Sequence, residues 1–227
     1  MKIVCMIPAR LGSQRLKKKN LQIFNKKPLI VNNALKAKIL NIFSDVIVNS
    51  ESDEIGNVVK DFGITFYKRP EALANDKATS EQFVYDFMKN NNCDYLIQLH
   101  SIAPLIEEKE IVDFYNYLLD NEFDTLLSYQ KVQIECVIGE KPINFNFQSK
   151  INSQELEPIK RISWSITGWK TNSYIKAYES GKCATYNGDI GYFEISDYSS
   201  IVVKSKQDLD LINFINNSKN ENNKFAK

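Results

Sequence analysis

The chain has 227 residues, 43% hydrophobic and 25% charged, with a formal net charge of +1. That composition describes a folded domain with one substantial core and excludes a disordered polyelectrolyte or a polybasic nucleic-acid binder. No apolar run has the length of a membrane span or secretory leader, and Cys5, Cys93, Cys136 and Cys183 lack paired or zinc-binding spacing, so a cytoplasmic chain with reduced thiols and no membrane partner is expected.

Residues 2–6 form a short apolar run that predicts a buried strand. The loop behind it, residues 7–20, reads IPARLGSQRLKKKN and gathers Arg10, Arg15, Lys17, Lys18 and Lys19 around a Gly12-Ser13 turn. By charge alone this is a solvated basic loop. By placement, at the end of the first strand of an α/β pattern, it is an anion site. Gly12 would let the main chain take unusual dihedrals and approach a ligand, with backbone N–H groups facing anionic oxygens. One unit pair about 4 Å apart contributes roughly 4 kcal/mol at an effective dielectric of about 20, so several cations suit a polyphosphate. The glycine spacing is that of neither a Walker A loop nor a dinucleotide fingerprint.

Further along, Pro28 opens a helix carrying Leu29, Ile30, Ala34, Leu35 and Ala37 at helical spacing. Residues 46–48 predict a buried strand. Ser52 caps a helix with Ile55, Val58, Val59 and Phe62 on its apolar side, and Gly63 ends it. A strand at 64–67 leads through Arg69-Pro70 to a helix at about 79–90. A strand at 95–99, a helix at about 107–120 and a strand at 125–129 follow. This alternation predicts crossover units and a largely parallel sheet. From Lys131 the rhythm breaks into short β-like pieces with Trp164 and Trp169, a β-rich flap or subunit contact. Strands at 192–195 and 201–203 and a helix from near Gln207 complete the chain. The expected organisation is one domain over 1–218, with 131–183 protruding and a frayed tail over 219–227.

In this order the pieces resemble the cytidylyltransferases that activate ulosonic acids, the CMP-sialic acid and CMP-Kdo synthetase group. The resemblance runs over most of the chain. It rests on IPARLGSQRLKKKN at 7–20, KPLI at 27–30, VNSESDEI at 48–55 and RPEALAND at 69–76. It implies a Rossmann-like, glycosyltransferase-A-like nucleotidyltransferase fold, an α/β three-layer sandwich with a mostly parallel sheet and a small β-rich protrusion. It also implies transfer of CMP from CTP to a 3-deoxy-ulosonic acid, sialic-acid-like rather than Kdo, with release of pyrophosphate. CTP and the sugar are the implied partners, Mg2+ the implied cofactor, and a homodimer through the protruding segment the implied assembly.

The resemblance implies nucleotide binding by Ala9, Arg10, Gly12, Ser13, Arg15, Lys19, Arg69 and Asp76, with Arg10 and Lys19 as the catalytic cations. Read without it, Arg69 is equally a surface ion pair and Asp76 a helix cap ahead of Thr79. On the sugar side it implies Gln98, His100, Ser101, Trp164 and Trp169. His100 read alone is a local hydrogen-bonding residue, and the tryptophans fill the core.

Three departures from the family pattern stand out. The loop QLHSIAP at 98–104 carries neither the acidic residue of the Kdo branch nor the arginine of the sialic-acid branch, whose position Ile106 takes. SITGW at 165–169 replaces a sugar-side segment usually reading NGAIY. Residues 200–209 read SIVVKSKQDL, so Val202 and Lys204 stand where the family carries metal-binding carboxylates. Asp208 is then the metal candidate, with Asp189 a second. Either the metal arrives on the triphosphate, or the Lys204 ammonium replaces part of its charge, or activity is lost and a degenerate nucleotide-binding protein remains. A relative acting on another sugar or nucleotide is the alternative enzyme.

Overall fold

Apolar residues run unbroken along β1 (Ile3–Pro8), because both of its faces are covered. Ile3, Cys5 and Ile7 pack into one core and Val4 and Met6 into another. The computed structural model describes residues 1–225, with side chains described through residue 219. After β1 come a hairpin of β2 (Ile23–Phe24) and β3 (Lys27–Pro28), then α1 (Leu29–Leu40), β4 (Asp45–Ser50), α2 (Asp53–Asp61), β5 (Thr65–Lys68) and α3 (Ser80–Asn90). The second half holds β6 (Tyr95–Leu99), α4 (Glu108–Asp120), β7 (Thr125–Val132), a hairpin of β8 (Val137–Ile138) and β9 (Lys141–Pro142), β10 (Ile159–Lys170), α5 (Thr171–Glu179), β11 (Ile190–Glu194) and α6 (Lys206–Phe225).

Seven strands form one sheet in the order β11-β7-β10-β6-β1-β4-β5. All neighbouring pairs are parallel except those of β10, which runs antiparallel to both β6 and β7. Helices α1, α2 and α4 cover one face through Ile30, Ala34, Ile55, Val59, Ile111 and Phe114. Helices α3 and α5 cover the other through Val84, Phe87, Tyr174 and Ala177. The result is the three-layer α/β sandwich that the alternation implied. A third cluster joins Phe24 and Leu29 to Leu105, Val203, Leu209 and Ile212, and so seats α6 beside the loop after β6.

The local signals act as expected. The Ser52 hydroxyl accepts from the Ile55 N–H at 3.3 Å, and Gly63 ends the α2 turn at φ 66°. Thr79 and Gln82 form a reciprocal capping box at the start of α3. Several expectations are corrected. Of the segment 131–183, only about 133–158 stands outside the main sheet. The remainder supplies β10, an interior strand, and α5, a helix absent from the sequence reading. Residues 201–203 form no strand; the Val203 N–H donates to the Ile102 carbonyl at 2.8 Å as a single tether. Helix α6 continues past Ser218 to Phe225, and residues 226–227 lie outside the described residues. Among the described residues no helix is long and apolar enough to cross a membrane.

Candidate active site

The chain leaves β1 for β4 on one side and later returns to β6 on the other, so the strand order reverses at β1. Open α/β sheets place ligands at such a point, outside the carboxyl ends of the strands. There a cavity of about 380 Å³ opens, its wall built from Pro8 at the end of β1 with Ala9 and Arg10 behind it, Arg69 after β5, and His100, Ser101 and Ile102 after β6. Ser13, Arg15, Lys19, Asn20 and Asp76 add polar and charged groups to its lining.

Arg69 is only 3% exposed, so it is no surface pair. Its Nη2 donates to the Ala9 carbonyl at 2.7 Å and to Glu51 Oε2 at 3.2 Å, and its guanidinium lies over the Phe83 ring. Glu51 also accepts from the Leu11 N–H at 2.8 Å through its other oxygen, so one carboxylate ties the loop to Arg69. Arg69 Nε is buried without a partner, a donor left over in the wall of the cavity. Burial is the chief influence lowering the Arg69 pKa, and Glu51 opposes it.

Arg10 and Asp76 meet across the cavity mouth at 2.8 Å, and Gln14 donates to the other Asp76 oxygen. Asp76 is thus an ion-pair partner of the basic loop and not the cap of α3, which Thr79 supplies. Lys19 is half-buried. Its pKa is lowered first by that burial and then by Arg15 and Arg10, with Lys204 adding to the effect and Asp208 opposing it. Lys18, left-handed at φ 49°, turns its ammonium to Glu54 on α2 and away from the cavity.

Gly12 is corrected in its reason. Its φ is not in the left-handed region, and a Cβ there would meet nothing within 4 Å. The protein does not require glycine at this position; it borders a shallow pocket with Arg10, Ser13 and Asp76 at the outer edge of the cavity.

A second cavity of about 240 Å³ adjoins the first, with His100 in the wall of both. Gln98, Trp164, Trp169, Ser80, Val84 and Tyr174 are among its lining residues, and none carries a formal charge. Gln98 Nε2 lies 2.5 Å from His100 Nε2, while Gln98 Oε1 is buried and has no partner. Burial and then Lys19 push the His100 pKa down to about 4, so the ring is neutral at physiological pH. Trp164 sits at φ 59° inside the irregularity of β10 between Ile162 and Thr167, which carries its indole to within 6.1 Å of the Tyr186 ring.

Two sugar-side candidates are also held by contacts within the fold. Trp169 is 2% exposed, packs edge-on against Tyr174 and donates from Nε1 to the Thr185 carbonyl. Ser101 is buried, and its hydroxyl donates to Asn20 Oδ1 at 2.7 Å. Asn20 in turn donates from Nδ2 to the Arg10 carbonyl at 2.9 Å, so it pins the basic loop to the loop after β6. Asn20, Glu51 and Phe83 escaped the sequence reading. Each is an ordinary residue whose role exists only through partners distant in the chain.

The donors fit a protein-held metal poorly. Among the described residues no three His, Cys, Asp or Glu side chains are grouped as a metal site. Asp208 Oδ2 accepts from the Lys204 N–H, the Ser205 N–H and the Ser205 hydroxyl, and so caps the start of α6. Asp189 precedes β11 at the opposite edge of the sheet, where its carbonyl accepts from Asp124 and Thr125.

The chain is similar to known proteins. The chain is 40% identical over 181 residues to N-acylneuraminate cytidylyltransferase of Escherichia coli O18:K1:H7, which covers 79% of this chain and 41% of that protein. It is 24% identical to post-translational flagellin modification protein B of Campylobacter coli, with 96% of each chain covered. A solved CMP:2-keto-3-deoxy-manno-octonic acid synthetase complexed with CTP superposes with a TM-score of 0.76 at 17% identity, covering 96% of this chain and all of that one, and shares the fold. The chain therefore spans less than half of the E. coli relative but nearly all of the Campylobacter one. The cytidylyltransferase family profile matches residues 4–187, from β1 and its basic loop through the neutral cavity, and the chain belongs to that family.

Proposed function

We propose that this protein transfers CMP from CTP to a 3-deoxy-ulosonic acid of the sialic-acid type and releases pyrophosphate. The observation that carries this reading is the pair of adjoining cavities: a cationic one at the strand ends and a neutral one beyond His100. The first suits the triphosphate, held by Arg10, Arg15, Lys19 and Ser13, with the buried Arg69 Nε as a further donor. The second suits the acceptor, whose hydroxyl or amide groups find the unpartnered Gln98 Oε1. A N-acylneuraminate cytidylyltransferase is among the relatives, which favours a nonulosonate acceptor.

In this reading the acceptor's anomeric oxygen bonds to the α-phosphorus as the bond to the bridging pyrophosphate oxygen breaks. The hydroxyl proton passes to solvent, and the leaving pyrophosphate takes the displaced electron pair. Arg10 and Lys19 offset the charge that develops on it, so the chain acts by positioning and electrostatics. Ser101 and Trp169 stand in the walls of the two cavities, each held by a hydrogen bond within the fold. Mg2+ is the cofactor implied by resemblance; among the described residues the donors are not grouped as a site for it, and Val202 and Lys204 contribute no carboxylate.

The segment outside the main sheet exposes Ile134, Val137, Ile138, Ile143 and Phe147, an apolar surface that suits a homodimer contact within a single-domain protomer. Four free cysteines fit a cytoplasmic setting. The test is pyrophosphate release from CTP with a panel of ulosonic acids, alongside thermal shifts with CTP, UTP, GTP and ATP. A nucleotide at a hundred times its Kd stabilises by about 2.7 kcal/mol. Stabilisation by CTP with no turnover on any ulosonic acid would leave only a nucleotide-binding protein.

A further inference from the structure

We infer that His100 is a catalytic residue: from the point where the two cavities meet, its Nδ1–H donates a hydrogen bond to an oxygen of the phosphoryl group being transferred. The inference rests on the CMP-transfer reading above and adds the group that acts on the α-phosphate itself.

His100 is the residue common to the linings of the cationic and the neutral cavity. Its backbone is held on both sides. The N–H donates to the Ser165 carbonyl at 3.0 Å, and the carbonyl accepts from Asn33 Nδ2 at 2.8 Å. The ring is held as well, because Nε2 of the buried Gln98 on β6 lies 2.5 Å from His100 Nε2. A carboxamide nitrogen can only donate, so His100 Nε2 accepts and the proton of the neutral ring sits on Nδ1. Among the described residues Nδ1 has no hydrogen-bond partner.

In the CMP-transfer reading Arg10 and Lys19 serve the leaving pyrophosphate, and the acceptor comes from the neutral side. The phosphorus then passes between the cavities, beside the residue that borders both. Phosphoryl transfer spreads charge over the equatorial oxygens of the moving group. A donor already fixed in place stabilises that charge without reorganisation. Burial and the nearby Lys19 keep the ring uncharged. Such a ring is suited to donate as imidazole and is too weak a base to take up the hydroxyl proton.

The chain has one histidine, so its ring can be read without assignment. Long-range proton–nitrogen correlation spectra of the full chain at neutral pH should show a neutral ring protonated on Nδ1, with that nitrogen shifting when a non-hydrolysable CTP analogue binds. A proton on Nε2, or a ring signal that the bound analogue leaves in place, overturns the inference. An analogue that does not bind removes the CTP reading and the inference with it. Steady-state pyrophosphate release in the presence of Mg2+ gives the second readout. His100→Ala is expected to lose roughly a hundredfold in kcat, with KM for CTP within about threefold of the parent. His100→Asn places an amide nitrogen near the position of Nδ1 and should recover about tenfold of that loss. Variants with the parent's Tm whose kcat is unchanged, or whose loss lies in KM alone, refute the role of His100. A parent protein that binds CTP but turns over no ulosonic acid refutes the transfer reading, and the inference falls with it.

Discussion

The guanidinium carbon of Arg69 lies 4.7 Å from the centroid of the Phe83 ring, joining the end of β5 to α3 over the floor of the cavity. Stacking on one face and Ala9 and Glu51 at one edge leave Nε buried and without a partner. Arg69→Ala strands the Glu51 carboxylate and is expected to cost about 3 kcal/mol, roughly 6–12 °C in Tm for a chain of this size. Lysine lacks the planar fork, so Arg69→Lys should recover less than half of that loss. Thermal unfolding of the two variants checks this; a lysine variant as stable as the parent contradicts it.

Asn20 gives both ends of its amide to the loops that form the cavity, Nδ2 to Arg10 and Oδ1 to Ser101. Asn20→Ala leaves a carbonyl and a hydroxyl unpaired, at about 1–3 kcal/mol. CTP affinity is expected to fall about tenfold, the equivalent of 1.4 kcal/mol. Ser101→Ala breaks one of the two bonds and should show a smaller loss. Equal affinities for parent and Asn20→Ala protein by calorimetry would remove Asn20 as the pin.

In the proposed function Lys19 holds phosphate only while protonated, and its surroundings lower its pKa below the ordinary 10.5. CTP affinity should therefore decline on the alkaline side at a lower pH than for an ordinary lysine. The sign follows from linkage: raising pH removes the proton that the bound anion needs. Lys19→Arg keeps its charge over that range and should flatten the profile, while Lys19→Ala should weaken CTP tenfold or more at neutral pH. Titrations across the alkaline range decide it, and parallel profiles for the lysine and arginine proteins count against the assignment.

His100 sets an acid limit on stability. Its pKa falls from 6.5 to about 4 in the folded chain, so the unfolded chain binds a proton that the folded one refuses. Stability is expected to be lost as pH drops through that window, by about 2 kcal/mol after discounting for the part of the ring that remains accessible. His100→Gln has no such proton and should shrink the loss between pH 6.5 and 4. Denaturant unfolding at several pH values checks it. An unchanged acid slope in the variant assigns the loss to other groups.

Much of the architecture was legible in one dimension because its signals are local. Ser52 caps and Gly63 ends α2 within their own turns, and β6 matches the sequence reading at both ends. The segment after Lys131 was misread because an antiparallel strand interrupted at Trp164 shows no clean period. The unbroken apolar run that marks Ile3 to Ile7 is missing there, and α5 lies too close behind Trp169 to announce itself.

The sequence by itself determined that a basic turn follows the first strand, and with it the expectation of a polyphosphate ligand, since charge and chain order suffice for that expectation. Only the tertiary structure decided which cations share one cavity. Arg10, Arg15 and Lys19 line it, Lys18 leaves for Glu54, and Arg69 arrives from 50 or more residues away to be buried on Phe83. The same holds for Trp169, which became core, and Asn20, which became a pin. Burial and long-range hydrogen bonds depend on which segments meet in space, and no local pattern of residues encodes that.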